Sequence, residues 1–238
     1  HWPWGKLYLI PSVIAENRHE ESLTKPIKKA IQEIDIFIVE NIKSARRNIK
    51  KIYKEKNIND IIFLLNGKHN KINLQEDFLK NILLNKNIGL LSDVGMPCIA
   101  DPGAEIVCHA HEYQVDVVPL VGPSSILLAL MGSGFNGQNF TFNGYLAIEK
   151  KIREKQLKQF EQIILSKNQT QIFIETPYRN NQLFSSILNT CSNKIKLCIA
   201  CDLTSTKEYI KTKYLYEWKS QKIKLEKKPT IFLLGRNL

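Results

Sequence analysis

The amino-acid sequence predicts an α/β protein of two domains, residues 1–119 with a sheet of parallel type and residues 120–238 with a mixed sheet. In the first domain, five short apolar segments alternate with amphipathic helical patterns, which is typical of parallel strands joined by helices. In the second domain, short apolar segments follow one another more closely, and helices separate only some of them. Apolar residues make up 43% of the chain, so both domains can bury a core.

The first domain begins with a predicted strand that Pro11 and Ser12 end. The polar segment from Val13 to Ser22 is predicted to be a loop. Thr24 is a candidate N-cap, because apolar residues then recur on one helical face through Ile34. Residues 42–56 are predicted to form a basic amphipathic helix. The predicted strands are Lys6–Ile10, Asp35–Glu40, Ile61–Leu65, Ile88–Leu91 and Val115–Pro119, and two further helices are predicted at Glu76–Leu84 and Ala104–Cys108.

The boundary between the domains is predicted near residues 119–123, where prolines and a glycine interrupt the pattern. The second domain then opens with an apolar helix, Ile126–Met131. A cleft between two domains is a common ligand site. The remaining strands are predicted at Phe140–Leu146, Gln171–Glu175, Lys196–Cys201, Glu208–Lys211 and Thr230–Leu234, with helices at 150–166 and 180–190.

The densest cluster of turn-forming residues is the loop Ser92–Gly103, which follows the predicted strand Ile88–Leu91. Two Pro, two Gly and two Asp occur within these twelve residues. Glycine permits positive φ and close backbone approach, proline fixes φ, and aspartate can accept hydrogen bonds from nearby amides. Ligands of α/β sheets usually bind at loops after the carboxyl ends of strands. This loop is therefore the first candidate site, with an ordinary tight turn as the alternative.

The net charge of +11 is unevenly distributed. Residues 1–115 carry 16 basic and 14 acidic groups, whereas residues 116–238 carry 18 and 9. Such an excess favours an anionic partner, either RNA or an anionic small molecule. The alternative is a lysine-rich surface that only contacts water.

The sequence predicts a cytoplasmic protein without a membrane partner. No segment approaches the roughly 18 apolar residues that cross a membrane. The opening residues His1–Gly5 are neither charged nor followed by the apolar core of a signal peptide, so no targeting segment is expected. The five cysteines form an odd, scattered set, which indicates reduced thiols.

Two motifs match known sites but lie in the wrong context. Gly132–Gly137 reads G-x-G-x-x-G, yet it follows a helix and precedes a strand, the reverse of a dinucleotide site. Cys198 and Cys201 have C-x-x-C spacing, but they lie inside an apolar strand and no second pair or histidine cluster accompanies them. No metal site is predicted.

A second candidate site is Glu175–Arg179, which ends the predicted strand Gln171–Glu175. A carboxylate, the Tyr178 phenol and the Arg179 guanidinium occur together there, and the guanidinium can hold a phosphate or carboxylate. Thr176 followed by Pro177 is also a common helix start, and both interpretations can hold at once.

Taken together, these segments resemble the tetrapyrrole methylase superfamily of S-adenosylmethionine-dependent methyltransferases, over nearly the whole chain. Within it, the resemblance is greatest to the branch that methylates ribose 2′-hydroxyls of 16S ribosomal RNA. The most specific motif is Ser92–Pro97 with Asp101–Gly103, which is similar to S-D-A-G-x-P…D-P-G of the family. The other matches are Gly5–Pro11 to G-x-L-Y-[IVL]-[VI]-P, Val118–Ser124 to the region around V-P-x-P-G-P, Glu175–Arg179 to E-S-x-H-R, and Asp202–Glu208 to the region around R-E-L-T-K-x-x-E.

The resemblance implies a two-domain tetrapyrrole-methylase-like fold, a homodimer, and S-adenosyl-L-methionine bound between the domains. Transfer of its methyl group to a ribose hydroxyl benefits from a general base, for which Glu40 and Glu175 are the candidates, with purely structural carboxylates as the alternative. The implied cofactor-binding residues are Pro11, Ser92, Asp93, Val94, Gly95, Met96, Ile99, Ser124, Ser125, Glu175 and Leu203. Substrate contacts are predicted at Arg46, Tyr178 and Arg179.

The chain departs from the family mainly on the substrate side. The family's E-D-T-R reads Glu40–Lys43 without the Asp and Arg, and its P-T-P-I-G-N-L loop reads Pro11–Asn17 without the Gly. Two alternatives to the ribose methyltransferase therefore stay open, a tetrapyrrole C-methyltransferase and a non-catalytic RNA-binding protein.

Overall fold

A computed structural model describes residues 3–238 of the chain. The expectation that the opening residues are not a targeting segment includes His1 and Trp2, which lie outside the described residues. The chain forms two compact units, of which the first ends at Ser124 and the second begins at Ser125. No helix within residues 3–238 combines the length and the apolar character needed to cross a membrane.

The first unit contains a five-stranded sheet in which every neighbouring pair is parallel. The strands lie in the order β3-β2-β4-β1-β5, so β4 is the central strand. Because the strands are parallel, all of their carboxyl ends lie at one edge of the sheet. The strands are β1 (Leu7–Ile10), β2 (Ile36–Val39), β3 (Ile62–Leu65), β4 (Ile88–Leu91) and β5 (Val117–Pro119).

Helices cover this sheet and build two apolar clusters. One cluster contains Ile31, Phe37 and Ile49, and the other contains Phe78 and Leu90. Strands with buried side chains on both faces are expected to be continuously apolar, as β2 and β4 are. The helices are α1 (His19–Ser22), α2 (Lys25–Glu33), α3 (Ile42–Ile52), α4 (Lys80–Leu83), preceded by a π-helical segment Leu74–Leu79, and α5 (Ala104–Glu112); Ile58–Asp60 is a 3₁₀ turn.

The second unit contains a mixed five-stranded sheet in the order β6-β7-β10-β8-β9. Only β6 and β7 are parallel, and the other neighbours are antiparallel. Its core includes Phe173 stacked on Phe232 and the fully buried Trp218, whose indole N–H donates to the carbonyl of Leu197. The strands are β6 (Phe140–Tyr145), β7 (Thr170–Ile174), β8 (Lys196–Cys201), β9 (Tyr209–Tyr214) and β10 (Thr230–Gly235). The helices are α6 (Ser125–Ser133), α7 (Lys150–Lys167), α8 (Asn180–Thr190) and α9 (Leu215–Lys219), and Pro177–Arg179 is a 3₁₀ turn.

The predicted fold class, a parallel sheet followed by a mixed sheet, is confirmed, and the differences concern short or terminal segments. The predicted loop at residues 13–22 contains the one-turn helix α1, and the strand predicted at 208–211 extends to Tyr214. Helix α9 has no counterpart among the predicted helices, because five residues are too few to show a helical period; tertiary burial of Leu215 and Trp218 holds it.

The helix predicted over residues 42–56 ends at Ile52, and Lys56, which follows it, is buried rather than exposed on a helix surface. Its side chain is 7% exposed, and its ammonium donates to the carbonyls of Gln32 at 3.0 Å and Ile34 at 2.8 Å and to the Asp35 carboxylate at 2.6 Å. These acceptors lie in the last turn of α2 and directly after it, where a cation also interacts favourably with the helix dipole. Lys56 thus ties the segment after α3 to the end of α2.

Replacing this lysine is expected to destabilise the protein. Lys56→Met keeps the aliphatic volume but leaves the carbonyls of Gln32 and Ile34 without their donor, which should lower the free energy of unfolding by about 1.5–3 kcal/mol. Urea denaturation measures this. The exposed neighbour Lys54→Met is the control and should change it by less than about 0.5 kcal/mol. Equal stability of both variants would contradict the role given to Lys56.

Candidate active site

The loop Ser92–Gly103 follows the central strand β4 and is bound by hydrogen bonds to the end of the neighbouring strand β1. The Ser12 amide donates to the Gly95 carbonyl at 2.9 Å, and the Gly95 amide donates to the Val13 carbonyl at 3.4 Å. The buried Ser92 hydroxyl donates to the same Gly95 carbonyl. Gly95 has φ +64°, a conformation that side chains with a Cβ rarely adopt. The first half of the loop therefore has a fixed backbone conformation.

Asp101 organises the second half of the loop. One of its carboxylate oxygens accepts from the Cys98 amide at 2.6 Å and from the Gly103 amide at 2.8 Å. Cys98 and Ala100 have φ of 69° and 57°, which is uncommon outside glycine. Backbone strain of this kind persists where surrounding contacts impose it, and it concentrates at functional sites.

The same loop exposes apolar side chains from this fixed backbone. Val94 is 62% exposed and Ile99 is 52% exposed, whereas Gly95 is buried and Met96 is half-buried. The arrangement is suited to a ligand with an apolar surface that lies against the loop.

The segment after β5 approaches the loop and the end of β1. A Cβ on Gly122 would lie 2.3 Å from Cβ of the buried Pro11, so only glycine permits this contact. A Cβ on Gly95 would lie 3.5 Å from the Pro123 carbonyl. The structure thus brings together Pro11, Gly95 and residues 122–123, and the buried Ser124 directly follows them.

Three carboxylates influence one another beside the loop. Burial raises the pKa of Glu40, at the end of β2, above its usual value; the charges of Asp93 and Asp101 raise it further, and Lys68 opposes them. Burial and then the charge of Asp101 raise the pKa of Asp93. A carboxyl with a raised pKa holds a proton more readily than a surface carboxyl does, which suits a group that exchanges a proton with a substrate.

Two cavities adjoin the loop. The smaller, of about 10 Å³, is lined by Glu40 and by Asp101–Gly103. The larger, of about 300 Å³, is lined by Asp93 and Val94 of the loop, by residues after β1, and by one face of α3. The α3 residues that line it are Ser44, Arg47, Asn48 and Lys51.

The side chain of Arg46, the predicted substrate contact on α3, lies elsewhere. Its guanidinium carbon is 5.7 Å from the centroid of the Phe63 ring. Arg46 is absent from the lining of the larger cavity, and its proposed substrate contact stays a prediction. Arg47 and Lys51 are not among the predicted site residues, although their helical spacing with Ser44 and Asn48 places all four on one face.

In the second unit, Glu175 is engaged by its neighbours. It is 7% exposed, accepts from the Thr176 amide at 2.7 Å, and lies 3.2 Å from the Arg179 guanidinium. Arg179 also donates to the Thr176 hydroxyl at 3.2 Å, whereas Tyr178 is 72% exposed. This arrangement both starts a helical turn and presents a phenol to solvent.

Leu203 lies at the same edge of the second sheet as Glu175. Strands β7 and β8 both run antiparallel to β10, which separates them, so their carboxyl ends share an edge. Glu175 follows β7, and the buried Leu203 follows β8 between Asp202 and Thr204, both with positive φ. Ser125 is the first residue of α6. The ligand contacts predicted for these residues stay predictions.

Comparison with known proteins identifies the class. Residues 18–218 match the family model of the tetrapyrrole (corrin/porphyrin) methylases. The chain therefore belongs to this family and is a methyltransferase, as the resemblance of its motifs predicted.

The chain is also similar to individual members of this family. The chain is 30% identical to ribosomal RNA small subunit methyltransferase I of Buchnera aphidicola subsp. Schizaphis graminum, over 97% of this chain and 78% of that protein. It is 29% identical to the protein of that name from Vibrio cholerae, over 86% of this chain and 67% of the relative. The crystal structure of the methyltransferase CobJ shares the fold with a TM-score of 0.62 and 14% identity, over 98% of this chain and 94% of that one.

The raised pKa of Glu40 predicts a dependence of stability on pH. A carboxyl whose pKa is higher in the folded state loses stability as the pH rises through that pKa, since the charged form is better tolerated in the unfolded chain. Glu40→Gln removes this penalty and should raise Tm at pH 8 by about 1–2 °C, an effect that disappears near pH 4. Thermal unfolding followed by circular dichroism at both pH values measures it.

The exposed Glu55 gives a matched control. Glu55→Gln removes one negative charge at a site away from the cluster of Glu40, Asp93 and Asp101. It should leave Tm unchanged at both pH values. If Glu40→Gln and the wild type had the same Tm at pH 8, the ionised Glu40 would carry no penalty.

Proposed function

We propose that this methyltransferase transfers the methyl group of S-adenosylmethionine to RNA of the small ribosomal subunit, at a ribose 2′-hydroxyl. The observation that carries the proposal is the loop Ser92–Gly103, with a fixed backbone, exposed Val94 and Ile99, and neighbouring carboxylates. The substrate is inferred from relatives named ribosomal RNA small subunit methyltransferase I.

The side chains of the loop and of its neighbours support S-adenosylmethionine as the ligand. The apolar side chains of Val94 and Ile99 offer contacts for its aliphatic and aromatic groups, and the Gly95 backbone permits close approach. The carboxylates of Glu40, Asp93 and Asp101 favour a cationic sulfonium over a neutral thioether. We propose that Pro11, Ser92, Met96 and Ser124 complete the contacts from the first unit, and Ser125, Glu175 and Leu203 those from the second.

Glu40 is the better candidate for the general base. S-adenosylmethionine supplies an electrophilic methyl group, so the protein has to orient the acceptor hydroxyl and remove its proton. Glu40 lies at the carboxyl edge of the sheet with a raised pKa. Glu175 is paired with Arg179 and accepts from the Thr176 amide, which favours a positioning role.

The net charge of +11 supports an RNA substrate, although a polycarboxylate tetrapyrrole would also be attracted. The ribosomal substrate would locate the reaction in the cytoplasm. The homodimer implied by the motif resemblance also remains part of the proposal. Arg46, Tyr178 and Arg179 are proposed substrate contacts.

The cofactor assignment predicts the effect of a side chain on Gly95. Gly95→Val should weaken binding of S-adenosylmethionine at least about tenfold in isothermal titration calorimetry, or 1.4 kcal/mol, since the side chain occupies space where the ligand meets the backbone. Gly134→Val introduces the same strain at φ +75° with no atom within 4 Å, and should bind normally. Unchanged affinity of Gly95→Val would remove the loop from the cofactor site.

Label transfer tests the substrate. Isotope-labelled S-adenosylmethionine is offered with 30S subunits and, separately, with uroporphyrinogen, and label should appear in RNA at a ribose. Label found in the porphyrinogen alone would replace the RNA proposal with tetrapyrrole C-methylation.

Glu40→Gln is the catalytic control for this assay. It should lower kcat by about 10²-fold or more, the usual contribution of a general base, and leave the affinity for S-adenosylmethionine nearly unchanged. A kcat within a factor of two of the wild type would exclude Glu40 as the base.

A further inference from the structure

We propose that the larger cavity beside the loop, between α3 and the segment after β1, binds a backbone phosphate of the RNA close to the methyl acceptor. This inference rests on the proposed RNA substrate and assigns residues that recognise it. The cavity measures about 300 Å³, which is sufficient for a phosphate with part of its ribose.

The donors that face this cavity suit an anion. Arg47 and Lys51 line it together with Ser44 and Asn48, at helical positions that share one face of α3. Within residues 3–238, the Arg47 guanidinium makes no hydrogen bond or ion pair with another side chain or the backbone, so its donors are available. The Lys51 ammonium donates to the Asn17 side chain at 3.1 Å, which fixes its position and leaves two further N–H groups.

A buried hydroxyl completes the set of donors. Ser12 is 1% exposed, lines the cavity, and its Oγ accepts from the Asn48 side-chain amide. The hydroxyl proton of Ser12 therefore remains available for a ligand. The Asn48 side-chain carbonyl oxygen lies 2.9 Å from Nε2 of His19. Because this oxygen can only accept, His19 donates from Nε2. Hydrogen bonds therefore link Ser12, Asn48 and His19 along one wall of the cavity.

The acidic groups of the cavity belong to the loop Ser92–Gly103 and to the segment after β1. Asp93 and Glu16 line it, so the cavity is not uniformly basic. An occupant that places a phosphate against Arg47 and Lys51 and its neutral ribose near Asp93 satisfies both regions. A free polycarboxylate matches this distribution less well, because it would bring negative charge to Asp93 as well.

The cavity adjoins the proposed cofactor loop directly. Asp93 and Val94 belong to both, and the Ser12 amide donates to the Gly95 carbonyl at 2.9 Å. A phosphate held here would therefore set the distance between the RNA backbone and the methyl donor. The contact would orient the RNA toward the methyl donor as well as strengthen its binding.

The test compares two double variants of α3. Arg47→Ala with Lys51→Ala removes two charges from the cavity. Lys43→Ala with Lys50→Ala removes two charges from the same helix outside it. Binding of a fluorescent RNA of roughly ten nucleotides is measured by anisotropy between about 50 and about 200 mM salt, with Tm as the check of folding.

The cavity variant should weaken RNA binding at least about tenfold and reduce the slope of log K against log salt by about 0.7 for each phosphate that it no longer binds. The control variant should weaken binding two- to threefold, roughly as expected for exposed charges. An oligonucleotide with uncharged methylphosphonate linkages should bind the wild type and the cavity variant equally.

Three results would overturn the assignment. Equal weakening by both variants would indicate diffuse attraction by the helix surface. A lower affinity of the cavity variant for S-adenosylmethionine would indicate that the cofactor, rather than RNA, occupies the cavity. Persistence of the cavity variant's defect on methylphosphonate RNA would exclude a phosphate contact. Failure of the proposed function is distinguishable, because the wild type would then transfer no label to RNA.

Discussion

The Gly95 carbonyl accepts from the Ser12 amide and from the Ser92 hydroxyl, and the arrangement of the site in the first unit depends on these two bonds. The Ser12 bond joins the loop after the central strand β4 to the end of its neighbour β1, and the Ser92 bond holds the loop to itself. Because parallel strands align their carboxyl ends, the bonds lie at the edge of the sheet where Glu40 also lies. The sheet therefore determines which side chains lie at this edge, and the two bonds determine the conformation of the loop beside them.

The loop separates two electrostatic environments. On one side, burial raises the pKa of Glu40, and the charges of Asp93 and Asp101 raise it further. On the other, Arg47 and Lys51 offer donors to an anion. The proposed methyl transfer would benefit from both environments, since negative charge attracts the cationic sulfonium of the donor and positive charge attracts the RNA that carries the acceptor.

Much of the fold was predictable because its signals are local. Apolar strands such as Ile36–Val39 are bounded by polar residues, and the parallel class follows from their alternation with helices. The burial of Lys56 was not predictable, since its ammonium donates to carbonyls more than twenty residues away. The motif Ser92–Gly103 located the candidate loop, but the two bonds that fix it include one between residues distant in sequence.

Helix α3 shows why the cavity could not be located from the sequence. Its apolar positions Ala45, Ile49 and Ile52 identify the buried face, and every other position after Ile42 is polar or basic. Arg46 and Arg47 are therefore equivalent in the sequence pattern. In the structure they differ by one step of about 100° around the helix, which directs Arg46 to the Phe63 ring and Arg47 to the cavity. A basic helix favours an anionic partner, and the sheet edge beside it decides which of its cations face the cavity.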